Sequence, residues 1–441
     1  AATLAFAGRR VPPDALLAVT TVAFFAIALT GPQLTFWAAR AARPLLRKLF
    51  RIEGYLAADS LSRTPQRTAL TVSAFGGAIS LMIATSSIVG SLQLSTERWM
   101  EDSFPFDLSV NATDLQSALY SSAAYSTEVL EISRAVPGVA SAYGVRAVFV
   151  PRGEIEIMLM SVDVAEFFAM HRARGRSAGP VQFDTPAIVA ALRSGDGVII
   201  SDNFAELNRL DTGGTVTLPS PAGPRTFRIL GRAEDYSWPA GTVLMDRSAY
   251  ARLWGDDSLT YTDILLAPGA DEREVRRALS EKLKDRTTVF IYSVPQLQEI
   301  ARSTLAQALR LSYVQVLIAL VIGFLGIVNT LLISVLLRTR EIGLLRAVGT
   351  TRAQIRRGVM IEAVFIALTG SALGVFAGLA GSGWPIRLYI LAKTGFWMPF
   401  VIPWSTLALA AGAGAVLGIA ASLVPARRAA RLNVLEAIAW E

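Results

Sequence analysis

Few residues in this chain could do chemistry, and their spacing argues against a catalyst. Cysteine is absent from the 441 residues, so no thiol nucleophile, thiolate metal site or disulfide framework can form. The single histidine, His171, sits in the polar stretch AMHRARGRSAG and reads as a solvated surface side chain; alone it cannot build a multi-histidine metal site. Glu154, Glu156, Asp163 and Glu166 cluster in sequence, and two carboxylates across a cleft would suit glycoside hydrolysis. Charged side chains are mostly exposed, however, and these four read as surface carboxylates. Neither an H-E-x-x-H nor an EF-hand pattern occurs. GDGVIISDN carries glycine but runs turn into strand, whereas phosphate loops run strand into helix. No catalytic or metal-ligating residue is assigned.

A different kind of site stands out: the arginine-rich turn RTREIGLLRAVGTTR, Arg338–Arg352, between two long apolar runs. Ile342, Leu345 and Val348 recur at i, i+3, i+6, which places them on one helical side. Gly349 is suited to a C′ stop, and Thr351-x-x-Gln354 is a capping box for the next helix. The reading is helix, tight turn, helix, with the arginines and Glu341 outward. The apolar side has no water-soluble core in this chain to bury it, so the membrane surface or a partner protein must cover it.

The elements around this turn are membrane spans. The chain is 52% hydrophobic and only 17% charged, against about a quarter charged in soluble domains. A bilayer core needs about 20 mostly apolar residues per helix, and five segments qualify: Ala15–Trp37, Thr68–Leu92, Leu311–Leu337, Val359–Trp384 and Trp404–Val424. None has Lys, Arg or Asp at its centre. Glu362 lies near the start of the fourth, where an interface is expected to hydrate it. Segments 38–67 and 338–357 and the tail together hold sixteen basic against five acidic residues, a local +11 in a chain of net +7. Positive charge marks the cytoplasmic side. The N-terminus and roughly residues 94–309 are therefore expected outside, and the C-terminus inside. Trp37, Trp384, Tyr389, Trp397 and Trp404 fall near span ends, as an interfacial belt would.

Between the second and third spans the composition is globular. Phe106–Ala112, Val145–Val150 and Ile155–Met160 are strand-like, VIISDNFAELNRL is a strand entering a helix capped by Ser201 or Asp202, and GTVTLPSPAGPRTFRILGRA is a hairpin. GTVLMDRSAYARLW and YTDILLAPGADEREVRRALSEKL each give another strand and helix, TTVFIYSV a last strand, and Pro295 opens the helix into the third span. Tyr55–Arg67 reads as an amphipathic helix on the inner surface, with Thr64-Pro65 opening the second span. Gly370, Gly374 and Gly378 repeat every fourth residue, as do Ala410, Gly414, Gly418 and Ser422. Such stripes let helix backbones approach closely, within one subunit or between two. The expected fold is an α-helical integral membrane protein of about five transmembrane helices with a large mixed α/β extracytoplasmic domain. Its parts are a leading span and linker (1–50), an elbow helix and span (51–93), the outer domain (94–309) and three spans with a cytoplasmic helix at 338–350 and a short tail (310–441).

LLISVLLRTREIGLLRAVGTTRAQIRRGVMIEAVFIALTGSALGVFAGL and the ending VPARRAARLNVLEAIAWE strongly resemble the permease family typified by FtsX and MacB. LAADSLSRTPQRTALTVSAF resembles the start of the same repeat, and LPSPAGPRTFRILG and VLMDRSAYARLWG resemble its extracytoplasmic core, so the likeness covers roughly residues 55–441. The leading span departs from an FtsX-like repeat, and the chain resembles the C-terminal half of a ten-span permease. Opening on Ala1 without a signal pattern, it is expected to be processed or truncated.

The resemblance implies a non-enzymatic permease subunit of an ABC transporter in a bacterial cytoplasmic membrane, working by mechanotransmission. A cytoplasmic ATPase dimer would grip a coupling helix made of Arg340, Glu341, Ile342, Gly343, Leu344, Leu345, Arg346, Ala347, Val348, Gly349 and Thr350. Glu341 and Arg346 would make polar contacts, and Ile342, Leu344 and Leu345 would fill the partner's groove. Residues 1–441 contain no G-x-x-x-x-G-K-[ST], so no cofactor is expected on this chain, and ATP and Mg would sit on the ATPase. Further implied partners are a second permease half or subunit, the lipid bilayer and an extracytoplasmic protein, with no nucleic acid. Family members move lipoproteins, peptides or antibiotics, or control envelope enzymes. The alternative is a receptor with an extracytoplasmic ligand-binding domain. An intramembrane enzyme is disfavoured, because the spans carry no His, Asp or acidic pair.

Overall fold

The computed structural model describes residues 65–114, 123–153, 155–175 and 182–432, with scattered positions between 14 and 57. The apolar run Ala15–Trp37, the surface helix expected over Tyr55–Arg67, Glu154 and the tail beyond Leu432 lie wholly or mostly outside the described residues. The chain divides into two compact units. One comprises Gln93–Leu305 and Ile390–Met398; the other comprises Arg10–Leu92, Ala306–Tyr389 and Pro399–Glu441.

The first unit is built on nine strands: β1 (Leu108–Asn111), β2 (Val139–Arg152), β3 (Ile155–Val162), β4 (Gly197–Ser201), β5 (Thr215–Ser220), β6 (Gly223–Ala233), β7 (Thr242–Asp246), β8 (Tyr261–Leu266) and β9 (Phe290–Ser293). They form one mixed sheet in the order β5-β6-β4-β7-β3-β2-β8-β1-β9, in which the pairs β3–β7 and β4–β6 are parallel. Each strand expected from alternation is present. Helix α1 (Pro65–Ser103) leads into the unit. The helices α2 (Glu128–Arg134), α3 (Val164–Ala173), α4 (Pro186–Ser194), α5 (Asp202–Asn208), α6 (Arg247–Trp254) and α7 (Glu272–Leu283) accompany the sheet.

Local chemistry explains where these helices start. Ser201 caps α5, its Oγ accepting from Phe204 N at 3.4 Å, and Asp271 caps α7, accepting from Arg273 N at 2.8 Å. Val275, Leu279 and Leu283 of α7 follow the four-residue period and are buried with Leu108, Val110 and Ile264 of the sheet. Val164 and Phe168 of α3 pack with Tyr143 and Val145 in another core. A third gathers Leu159, Ile200, Val243 and Phe204.

Two sequence expectations are corrected here. His171 is not a surface side chain. It is fully buried, its Nδ1 lies 2.8 Å from the Phe167 carbonyl, and its ring lies 4.2 Å from that of Phe167. The physical reason is α3 itself: Val164, Phe168 and His171 share its inner face, while the arginines that follow are exposed. Glu362, in turn, is not a hydrated interfacial group but is only 5% exposed, and Ser334 Oγ donates to its Oε1 at 3.3 Å. Its helix opens at Arg352, so Glu362 lies ten residues, about 15 Å, along it.

The second unit is helical. The apolar part of α1, then α8 (Val294–Leu337), α10 (Arg352–Thr394) and α11 (Trp404–Ala430) are four helices long and apolar enough to cross a membrane. Leu317, Ile318, Ile322 and Leu325 of α8 are more than half exposed, the opposite of a soluble core and the arrangement a lipid-facing surface needs. The interior packs Phe75, Ile79 and Ile83 of α1 with Ile327, Leu331, Ile366 and Ala367. Gly370, Gly374 and Gly378 meet α1 of the same chain: a Cβ at Gly374 would lie 2.5 Å from the Gly76 carbonyl oxygen, and one at Gly378 2.9 Å from that of Ser80. Gly414 and Gly418 of α11 face α10 through Ser371, Val364 and Ala367.

Candidate coupling site

The arginine-rich turn folds as a short helix, α9 (Thr339–Ala347), set between the ends of α8 and α10. Its stop is built from backbone. Gly349 adopts φ +105°, a conformation glycine reaches without a Cβ penalty. That lets Thr350 N reach the Leu345 carbonyl at 3.0 Å and Gly349 N the Arg346 carbonyl at 3.1 Å. The next helix starts with a reciprocal box: Gln354 N donates to Thr351 Oγ1 at 3.2 Å, and Thr351 N donates to Gln354 Oε1 at 2.9 Å. At the other end, Thr339 Oγ1 donates to the Leu336 carbonyl at 2.8 Å. The helix is thus fastened at both ends, which a rigid lever needs.

Burial divides the candidate residues. Ile342 is 8% exposed and joins the membrane unit's core beside Val335, Ile355, Val359, Ala426 and Ala429; Gly343 is buried with it. The expectation that the apolar side finds no cover in this chain therefore fails for Ile342. Each three-residue step falls about 60° short of a full turn, so Val348 lies well round the helix from Ile342. Val348 is 89% exposed and Leu344 50%. Arg340, Ala347 and Gly349 are exposed, and Leu345 and Thr350 are half-buried. The polar pair turns back on the chain: Glu341 Oε2 accepts from Arg338 Nε at 3.1 Å, and Arg346 Nη1 donates to the Leu432 carbonyl. Beside α9, the ends of α8 and α11 line a groove of about 470 Å³ that carries Arg427, Arg428 and Arg431. The exposed set is an apolar knob, Leu344 and Val348, edged by arginine. It holds no nucleophile, and its one carboxylate is salt-bridged to Arg338.

The described members of the acidic cluster considered for glycoside hydrolysis are engaged separately. Glu156 is exposed. Asp163 caps α3, accepting from Ala165 N at 3.1 Å, and Glu166 pairs with Arg134. Among the described residues no group of three or more His, Asp or Glu could hold a metal. Sequence reasoning passed over a different carboxylate, Asp263, buried in the middle of β8. The available signal was an aspartate inside the strand run YTDILL.

Residues 313–434 match the FtsX-like permease C-terminal family, and residues 68–282 match the MacB-like periplasmic core domain. An uncharacterized ABC transporter permease protein of Mycobacterium tuberculosis is 27% identical over 424 residues, covering 94% of this chain and 48% of that protein. The macrolide export ATP-binding/permease protein MacB of Sodalis glossinidius is 32% identical over 193 residues, 43% of this chain and 29% of its own length. The chain thus spans about half or less of the length of these curated relatives. The periplasmic region of MacB from Actinobacillus actinomycetemcomitans overlaps 47% of the chain and 98% of that structure at 13% identity, with a TM-score of 0.32.

Proposed function

Because the chain belongs to the MacB-type, FtsX-like family of ABC transporter permeases, we propose that it couples a separate cytoplasmic ATPase to movement of its α/β domain. In this reading the protein is an α-helical bacterial inner-membrane subunit and hydrolyses no ATP itself. The observation that carries the proposal is α9, a helix fastened at both ends that presents Leu344 and Val348 outward. Exposed apolar side chains of this kind need a cover, and the groove of an ATPase dimer supplies it.

Continuous backbone supports transmission. Helix α8 begins at the residue after β9 and ends two residues before α9, with Arg338 between, a single rod of 44 residues or about 66 Å. A push on α9 enters that rod directly. The end of α10 offers a second route. Residues Ile390–Met398 belong to the same compact unit as the sheet. There the Phe396 ring stacks on Tyr236 with centroids 4.7 Å apart, and Gly395 (φ +73°) lies so close to Asn203 that a Cβ would stand 2.5 Å from its carbonyl oxygen. The cargo belongs to the export or extraction classes of the family: a lipoprotein, a peptide or an antibiotic-like molecule, or control of an envelope enzyme.

This reading places α9 inside the cell and the α/β domain outside. In right-side-out vesicles, a membrane-impermeant maleimide should label Ala187→Cys, an exposed position on α4, and should label Val348→Cys only after the membrane is permeabilised. Labelling of Val348→Cys in sealed vesicles would overturn the orientation.

A further inference from the structure

The α/β domain encloses a cavity of about 230 Å³ between the sheet, α3 and the segment after β6. Its walls are aromatic and apolar, with Trp99, Phe104, Tyr143, Phe167, Tyr261 and Leu244 among them. Its charged groups are of one sign. Among the described residues, Asp263, Asp235 and Glu234 line it, His171 is the only basic side chain that does, and neither lysine nor arginine contributes.

The strand register sets the floor. Ser109 of β1, Asp263 of β8 and Tyr143 of β2 are cross-strand neighbours in one row. Ser109 Oγ donates to Asp263 Oδ1 at 2.7 Å, and Asn111 Nδ2 donates to Ser109 Oγ at 3.2 Å. Asp263 is 3% exposed, whereas Glu234 is exposed and marks the mouth. On the wall, Thr242 Oγ1 is buried without a hydrogen-bond partner among the described residues. A buried hydroxyl of that kind costs stability until something bonds it. Burial pushes the Asp263 carboxyl up to about 7, partly offset by the Ser109 and Tyr143 hydrogen bonds. The titratable groups facing it are Tyr125, Tyr143 and Tyr261, with Asp235, His171 and Glu234 further round the wall.

We infer that this cavity binds a compact organic amine in its protonated form, with the ammonium at Asp263 and the apolar body against the aromatic walls. Three features select that class. Carboxylates withdrawn from water attract a cation and repel an anion. Aromatic faces attract ammonium groups through their quadrupoles. The volume is below the roughly 300–1,000 Å³ that holds drug-sized ligands, which restricts the ligand to a small one. Binding at this site does not depend on the coupling proposal, and its test uses no ATPase.

The test is calorimetry on the purified full chain in detergent at pH 8, with 2-phenylethylamine, its neutral counterpart 2-phenylethanol and the anion phenylacetate as probes. The amine should bind about ten-fold more tightly than the alcohol, the margin of a charged over a neutral hydrogen bond, and phenylacetate should not bind. Asp263→Asn should erase the preference for the amine. That variant should also stay folded, and its own stability supplies a second reading. The folded-state pKa of Asp263 lies above the ordinary 3.8. Its contribution to stability is therefore fully present below pH 3.8 and lost as pH rises towards 7, at about 1.4 kcal/mol per unit. Melting temperature should fall over that window in the wild type and stay flatter in Asp263→Asn. No amine binding at millimolar concentration, equal binding of phenylacetate, or an amine preference that survives Asp263→Asn would each overturn the site.

Discussion

Replacing Leu344 and Val348 together by aspartate should abolish co-purification of the proposed ATPase while leaving the membrane unit folded. Both side chains are exposed, at 50% and 89%, so their replacement creates no cavity, and surface changes of this kind shift stability by only about 0.5 kcal/mol. Seated in a partner's groove, each aspartate would bring a carboxylate into a desolvated site, and stranding such a charge costs several kcal/mol. Two of them exceed what a docking contact of this size supplies. Ile342→Asp is the informative contrast. It strikes the buried core position, so it should lower the melting temperature of the whole chain rather than release an intact one. An ATPase that stays bound to the Leu344→Asp/Val348→Asp chain would remove α9 from the interface.

Gly374→Val should be among the most destabilising single changes in the membrane unit. A Cβ there meets the Gly76 carbonyl oxygen at 2.5 Å and the Ile79 Cβ at 2.6 Å, and two helix backbones must separate to admit it. Overpacking of a close-packed interior costs about 1–3 kcal/mol and more when backbone is the obstacle. Lipid gives no hydrophobic drive to hold helices together, so lost packing is not replaced. Gly381→Val, seven residues along the same helix, is the control, because a Cβ there meets nothing within 4 Å. Thermal unfolding in detergent should show a drop of several degrees for the first and little change for the second. Equal melting temperatures would mean that the stripe does not hold α10 to α1.

The sequence made the elements legible wherever one face of a strand or helix differed from the other, or where a short apolar run stood out. The strands follow alternation, as in β5, or short apolar runs buried on both faces, as in β4 and β7, and the α9 stop and the box opening α10 follow from Gly349, Thr351 and Gln354. Features set by neighbours distant in sequence were not legible. Ile342 and Val348 are equally apolar, and packing in the core with Val335, Ile355, Val359, Ala426 and Ala429 buries one while the other is left out. His171 reads as polar because arginines follow it, yet the period of α3 turns it inward. Asp263 reads as one more strand residue. Its burial depends on β1 and β2 flanking β8, a pairing that joins residues more than a hundred positions apart. The helices α2, α3 and α4 escaped notice because seven to ten residues carry too little periodic signal.

The most direct test of coupling through α9 uses the absence of cysteine from these 441 residues, which makes Val348→Cys the single thiol within them. A short thiol-reactive photo-crosslinker at that position, in membranes containing the transporter's ATPase, should give one dominant adduct between this chain and the ATP-binding subunit. The adduct should disappear when Leu344→Asp is added. A transporter that hydrolyses ATP while position 348 forms no adduct with the ATPase would contradict the account.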